Sequence, residues 1–189
     1  MEGYASTPII FLSTFIVGLI QFIFILRLIF EITQVNFYNP VCQMVVRFTD
    51  PVLKPLRIIP LNFGRVDLII IIILTIFTSI KIFIPYSISG IDINLVSLLI
   101  AGFGKLINEV LDILWWVVII GAIGSWFMGF NSHPIFNLID DICQPFYNII
   151  RRILPPMSGL DFSPIILLVL ITLTELILVP PIYHFASLF

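Results

Sequence analysis

The chain has 189 residues, 60% of them hydrophobic and 11% charged, with nine Lys and Arg against eleven Asp and Glu for a net charge of -2. A soluble domain is about 45–50% apolar and about 25% charged, so a chain with mean hydropathy +1.17 cannot cover its surface in water and takes lipid as solvent. Nucleic acid is excluded as a partner for want of a basic patch, and Cys42 and Cys143, without motif spacing, imply neither a disulfide nor a metal framework.

In lipid the backbone must satisfy its own hydrogen bonds, which leaves helices or closed barrels. Barrel strands alternate apolar and polar residues. Runs such as residues 68–75 are uniformly apolar, which selects helices. A span takes about 20 residues. The first is predicted at residues 9–30, with Gln21 and Arg27 inside it. It reads as a retained span, because the residues before it lack the basic segment and cleavage site of a signal peptide. Arg27 can pair with Glu31 or Asp67, or reach lipid phosphates.

Asn39-Pro40 follows, an N-cap residue with a proline suited to the first helical turn. Val41, Val45, Phe48 and Val52 then share a helical face, and Pro51, Pro55 and Pro60 are expected to stop that helix. Gly64 relaxes the chain before Asp67, which starts the second span at residues 68–88, with Lys81 inside it. Residues 91–104 are apolar but about half a span long. They read as an interfacial or re-entrant helix leading into the third span, residues 107–130, rather than as a fifth crossing. Glu109 and Asp112 flank that span's start and Trp126 lies near its end. Gly121 and Ser125 form a small-xxx-small pair that allows close helix approach.

The second loop opens with His133-Pro134. Ile135, Leu138, Ile139 and Ile142 lie at helical spacing, with Asn137, Asp140, Asp141 and Gln144 in the other positions. Pro145, Pro155 and Pro156 are its expected stops, and Gly159 and Asp161 precede a fourth span at residues 162–184 that contains Glu175. Both loop helices are amphipathic and are expected to lie in the membrane interface.

Arg47, Lys54, Arg57 and Arg65 lie between spans one and two, and Arg151 and Arg152 between spans three and four. Only Lys105 lies between spans two and three. Basic loops stay inside, so both loops are expected in the cytoplasm and both termini on the other side. A fifth span would put one basic loop outside.

The loops also repeat. Asn39-Pro40 recurs as His133-Pro134, Asp50-Pro51 as Gln144-Pro145 and Asp67 as Asp161, each 94 residues on. Arg57-Ile-Ile-Pro60 recurs as Arg152-Ile-Leu-Pro155 at 95, a one-residue slip. The expected architecture is all-α: four transmembrane helices in two parallel helix-loop-helix repeats, residues 1–94 and 95–189, related by an axis along the membrane normal.

The chain holds no phosphate loop, dinucleotide fingerprint, zinc spacing or nucleophile elbow. His133 and His184 fall on opposite faces of the membrane, which disfavours paired haem ligation. No catalytic residue, metal or cofactor is therefore expected. A charge inside a span costs about 2.5–3.5 kcal/mol on insertion scales, so it takes a partner or water. Lys81 lies 14 residues after Asp67, and Glu175 14 after Asp161. Their equal depth and opposite sign suggest a pair across the repeat axis; separate snorkelling to the interface is the plainer alternative. Asp67 and Asp161 read as N-caps, with cation ligation the lesser alternative. Arg57, Arg151 and Arg152 are candidates for headgroup or partner contacts. A channel would need Thr75, Thr78, Ser79, Thr172 and Thr174 to line one polar path.

Taken together, Asn39-Pro40, Asp50-Pro51, Pro55-Leu-Arg57-Ile-Ile-Pro60 and Asp67, with Gln144-Pro145, Arg151-Arg-Ile-Leu-Pro155 and Gly159-Leu-Asp-Phe-Ser-Pro164, resemble the signature of the YggT (YlmG-like) family. The second copy departs in having His133 for Asn39 and Gln144 for Asp50. The resemblance implies a small multi-pass protein of a bacterial inner membrane, with relatives in plastids. It implies roles in osmotic-shock tolerance and potassium uptake, in cell division or envelope organisation, or, in plastids, in cytochrome haem assembly. It carries over no catalytic residue. The expectation is a non-enzymatic protein that organises partners at the cytoplasmic face, a membrane-protein partner or further copies of itself. A transporter or channel subunit and an assembly factor are the alternatives.

Overall fold

The computed structural model describes residues 2–57, 61–126, 133–156 and 161–189. Along these the order is α1 (Glu2–Thr33), α2 (Pro40–Leu56), β1 (Asn62–Phe63), β2 (Val66–Asp67), α3 (Leu68–Ile88), α4 (Leu95–Trp126), α5 (Pro134–Ile153) and α6 (Ser163–Ala186). Four stretches are long and apolar enough to cross a membrane: Thr7–Thr33, Leu68–Ile88, Leu95–Ser125 and Ser163–Ala186.

The third of these corrects the sequence reading. Residues 95–104 are not a separate interfacial or re-entrant helix; they are the first turns of α4, which runs unbroken for 32 residues. Asn94 starts it, its Oδ1 accepting from the Val96 N–H at 2.8 Å. No proline interrupts it, and its two early glycines serve packing. A Cβ on Gly102 would collide with Ser79, and one on Gly104 would come within 2.9 Å of Ile182. The two glycines let α3 and α6 close on either side of α4. Gly102→Ala should therefore cost about 1–3 kcal/mol by overpacking, read as a lowered thermal midpoint in detergent. An unchanged midpoint would mean that α3 and α4 are not this close. Residues 127–130 of the predicted span lie outside the described residues.

The loop helices form where expected; α5 does end at Ile153, directly before Leu154 and Pro155-Pro156, but the earlier prolines stop neither helix. Asn39 and His133 are the N-caps, each with proline in the first turn. Pro51 and Pro55 lie inside α2, and Pro145 inside α5. Pro51 and Pro55 are exposed, so the carbonyls they leave unbonded can meet solvent or headgroups, which lowers the cost of a helical proline. Pro60 lies outside the described residues. The apolar face of α2 is also divided. Val45 is buried with Cys42, Thr49 and Leu53, whereas Phe48 and Val52 are exposed beside Met44.

Helix α3 packs between α1 and α4, and α6 packs on the far side of α4. The main core gathers Phe24, Ile25 and Leu28 of α1 with Leu53, Ile70, Leu74 and Leu106. A second cluster joins Val118 to Cys143, Ile150 and Leu167. Both lie toward the end of the bundle that carries α2 and α5. Gly121 faces Ile139 and Gly124 faces the Phe136 ring, so this small-residue face seats α5 on α4. Between α2 and α3 a tight hairpin pairs Phe63 with Val66. Gly64, at φ +63°, takes the first turn position, where only glycine is unstrained.

Candidate functional site

Two polar constellations stand out, one inside the spans and one at the α2/α5 end. The first centres on Glu109 of α4. Lys81 Nζ donates to Glu109 Oε1 at 2.7 Å, and Gln21 Nε2 donates to Glu109 Oε2 at 2.6 Å. Gln21 Nε2 also reaches Thr78 Oγ1 at 3.0 Å, and Thr78 donates to the Leu74 carbonyl. Three helices thus meet at one carboxylate, about 20 Å along α3 from its start. Gln21 is only 1% exposed, and among the described residues its buried Oε1 has no partner.

The expected Lys81–Glu175 pair is not the arrangement found. Lys81 is taken by Glu109, and Glu175 Oε1 instead accepts from Asn108 Nδ2 at 2.8 Å. Lys105 Nζ leans on Asn108 Oδ1 at 3.4 Å. The reason is the position of α4. Because it begins at Leu95, Asn108 and Glu109 fall midway along a span and stand between the two charges. The hydroxyls named for a channel do not converge either. Thr78 and Ser79 are buried, whereas Thr172 and Thr174 are exposed and bond their own helix's carbonyls.

The second constellation closes the α2/α5 end. Arg57 bridges two elements, its Nη2 to Glu31 Oε1 at 2.7 Å and its Nε to Asp67 Oδ2 at 2.6 Å. Burial disfavours the Arg57 cation, but Glu31 and Asp67 outweigh it and raise its pKa. Asp67 also caps α3, accepting from the Ile69 N–H at 2.8 Å. Arg27 does not reach lipid phosphates. It is 6% exposed, pairs with Glu31 at 2.9 Å and lies over the Phe37 ring at 5.7 Å. Asp50 holds Lys54 at 2.9 Å. A half-open cavity of about 400 Å³ borders this network, lined by Glu31, Gln34, Phe37, Arg57, Asn62, Arg65 and neighbours.

The Arg–Asp bridge recurs after α5. Arg151 Nη2 and Nε donate to Asp161 Oδ2 at 2.6 and 3.0 Å, and Asp161 Oδ1 accepts from the Ser163 N–H at 2.9 Å. The bridge spans ten residues in each place. Asp161 thus takes Arg151, not Arg152, as its partner. Arg152 is exposed and in no ion pair among the described residues. Burial raises the Cys42 thiol and pushes the Cys143 thiol up to about 11, so neither is poised as a thiolate. From sequence, Glu31 enters only as one possible partner of Arg27, which the structure bears out, and Glu109 only as a flank of the third span; Asn108 is not singled out. Lys105, Asn108, Glu109 and Asp112, at i, i+3, i+4 and i+7, do form a polar stripe legible in the sequence.

Four long apolar helices, tied by hydrogen-bonded charges within their length, define a multi-pass α-helical membrane protein. The profile of the CCB3/YggT family matches residues 6–88 and again residues 100–182. The chain belongs to this family. It is 32% identical to the YggT protein of Escherichia coli K12, covering 85% of this chain and 84% of that one. It is 31% identical to protein PA0392 of Pseudomonas aeruginosa, covering 95% and 91%. A Haemophilus influenzae relative is 32% identical over 81% of each. None of these relatives carries an activity in its name. No solved structure matches the chain.

Proposed function

We propose that this is a non-enzymatic protein of the bacterial inner membrane that supports envelope organisation or osmotic-stress tolerance by holding partners at its cytoplasmic face. Its halves, residues 1–94 and 95–189, are read as parallel copies of one unit. The doubled profile match supports this, its second copy displaced by 94 residues at both ends, as do the Arg57–Asp67 and Arg151–Asp161 bridges. The gathering of Lys54, Arg57, Arg65, Arg151 and Arg152 near the α2/α5 end supports a cytoplasmic placement of that end and outward termini. Amphipathic α2 and α5 would then lie at the headgroups, with Met44 and Phe48 toward lipid.

The observation that carries the partner reading is the seam between α2 and α5. Asn39 Nδ2 donates to the Pro134 carbonyl at 2.7 Å, and Asp141 Oδ2 accepts from the Asn36 N–H at 3.2 Å. The seam borders an open cleft of about 450 Å³ lined by Tyr38, Asn39, Asn137, Asp140 and Asp141. Burial, helped by Asp141, raises the Asp140 carboxyl. An exposed tyrosine beside carboxylates and amides suits a polar, basic partner segment. A photo-crosslinking residue at Tyr38 in native membranes should give one discrete protein adduct, reduced several-fold by Asp140→Asn. Adducts that vary between preparations, or none, would remove the proposal. An adduct with an enzyme complex under construction would make the protein an assembly factor.

The Gln21–Glu109–Lys81 cluster favours a second reading, a subunit of an ion transporter. Four spans leave little room for a path, so further copies or another subunit would complete it. Reconstituted protein that passes no potassium under osmotic load would count against this reading.

A further inference from the structure

We propose that the cavity beside Arg57 holds the headgroup of an aminophospholipid, with an acyl chain laid along α3. The cavity lies where α1 ends and α3 begins, the depth of the headgroups in one leaflet. Its walls carry both signs. Arg65 is exposed and in no ion pair among the described residues, and Arg57 has spent only Nε and Nη2 on Asp67 and Glu31. With the amides of Asn62 and Gln34, these supply donors for a phosphate. Glu31 also lines the cavity, and Arg27 and Arg57 both contact it through Oε1. That leaves Oε2 open to an ammonium group. A phosphate and a primary amine a few ångströms apart are the chemistry of a phosphoethanolamine headgroup.

Two further features point the same way. Gln34 sits at φ +58° directly after α1, with the Val35 N–H donating back to the Phe30 carbonyl. Helices usually place glycine there. The chain instead holds a strained glutamine whose side chain lines the cavity. Below the cavity, Leu68, Ile72 and Ile76 are exposed at successive turns of α3. They lead to an apolar cleft of about 700 Å³ between α3, α4 and α6, lined by Ile72, Thr75, Ile76, Phe103 and Pro181. The cleft begins at Ile71, about 3 Å along α3 beyond Ile69, which lines the cavity. Phe63, exposed at the hairpin, is placed to anchor the rim in the interface.

The test uses the full chain in detergent and native mass spectrometry with phosphatidylethanolamine, phosphatidylglycerol and phosphatidylcholine of identical acyl chains. Phosphatidylethanolamine should be retained at least about fivefold over the other two. Arg65→Gln, an exposed change outside the ion-pair network, should weaken that retention about tenfold, the equivalent of about 1.4 kcal/mol, with an unchanged thermal midpoint. Gln34→Gly should raise the midpoint of the lipid-free protein yet lower phosphatidylethanolamine retention several-fold. Equal retention of the three lipids would overturn the proposal, as would full retention by both variants. Displacement by soluble glycerophosphoethanolamine at millimolar concentration would also overturn it, because a free headgroup would then be the ligand.

Discussion

Glu109→Leu is expected to destabilise the protein by about 3–5 kcal/mol, the range for breaking a buried ion pair from one side. In a chain of this length that is a fall of roughly 10 °C in thermal midpoint. The substitution strands Lys81, whose side chain is 23% exposed, and removes an acceptor of the nearly buried Gln21. Lys81→Met should cost less than Glu109→Leu, because Gln21 can still donate to the remaining carboxylate. The double variant should recover about 2 kcal/mol of the summed loss. Glu175→Gln should cost under about 1 kcal/mol, since its side-chain oxygen can still accept from Asn108. Unfolding in mixed micelles measures all four. Strict additivity of Glu109→Leu and Lys81→Met would mean the two charges do not meet.

The same cluster marks where sequence reasoning stopped. The four spans, the caps at Asn39 and Asp67 and the two loop helices were all readable, because each depends on local pattern or on residues two or three apart. Lys81 was recognisable as a charge needing a partner. Its partner was not, because that depended on one helix boundary. With α4 taken to begin near residue 107, Glu109 sits at the membrane edge and Glu175 is the only carboxylate at the right depth. With α4 beginning at Leu95, Glu109 moves about 20 Å into the span. Asn94 was the missed signal, a good N-cap directly before Leu95. Pro155 and Pro156 do follow the end of α5, but Pro51, Pro55 and Pro145 failed as stops for a related reason. They forbid a hydrogen bond, not a helix, and their cost depends on whether the freed carbonyl is wet, which no single-residue rule contains. The cavity beside Arg57 was illegible as well. It needs the end of α1, the hairpin and the start of α3 to converge, and only the arginines announced it.

The two Arg–Asp bridges share a spacing but not an environment, and this separates the effects of removing them. Arg57→Gln leaves Glu31 and the 5% exposed side chain of Asp67 without their shared cation, a loss of about 3 kcal/mol. Arg151→Gln breaks a bridge whose side chains are 33% and 31% exposed, and solvent screening reduces that loss to about 0.5–1 kcal/mol. The smaller effect also carries a pH signature. Burial alone would raise the Asp161 carboxyl, but hydrogen bonds from Ser163 and Arg151 outweigh it and hold it below its ordinary value. A carboxyl depressed in the folded state stabilises above its unfolded pKa, near 3.9, and loses that contribution as pH falls through the folded value. The gap between the parent protein and Arg151→Gln should therefore be constant at neutral pH and close below about pH 4. Thermal unfolding of both proteins between neutral pH and pH 3 measures it. A gap that does not narrow at all as pH falls to 3 would mean that Arg151 acts through Gln144 or the Tyr147 ring rather than through Asp161. Equal losses in Arg57→Gln and Arg151→Gln would mean that the two bridges are screened alike, and that Glu31 adds nothing to the first.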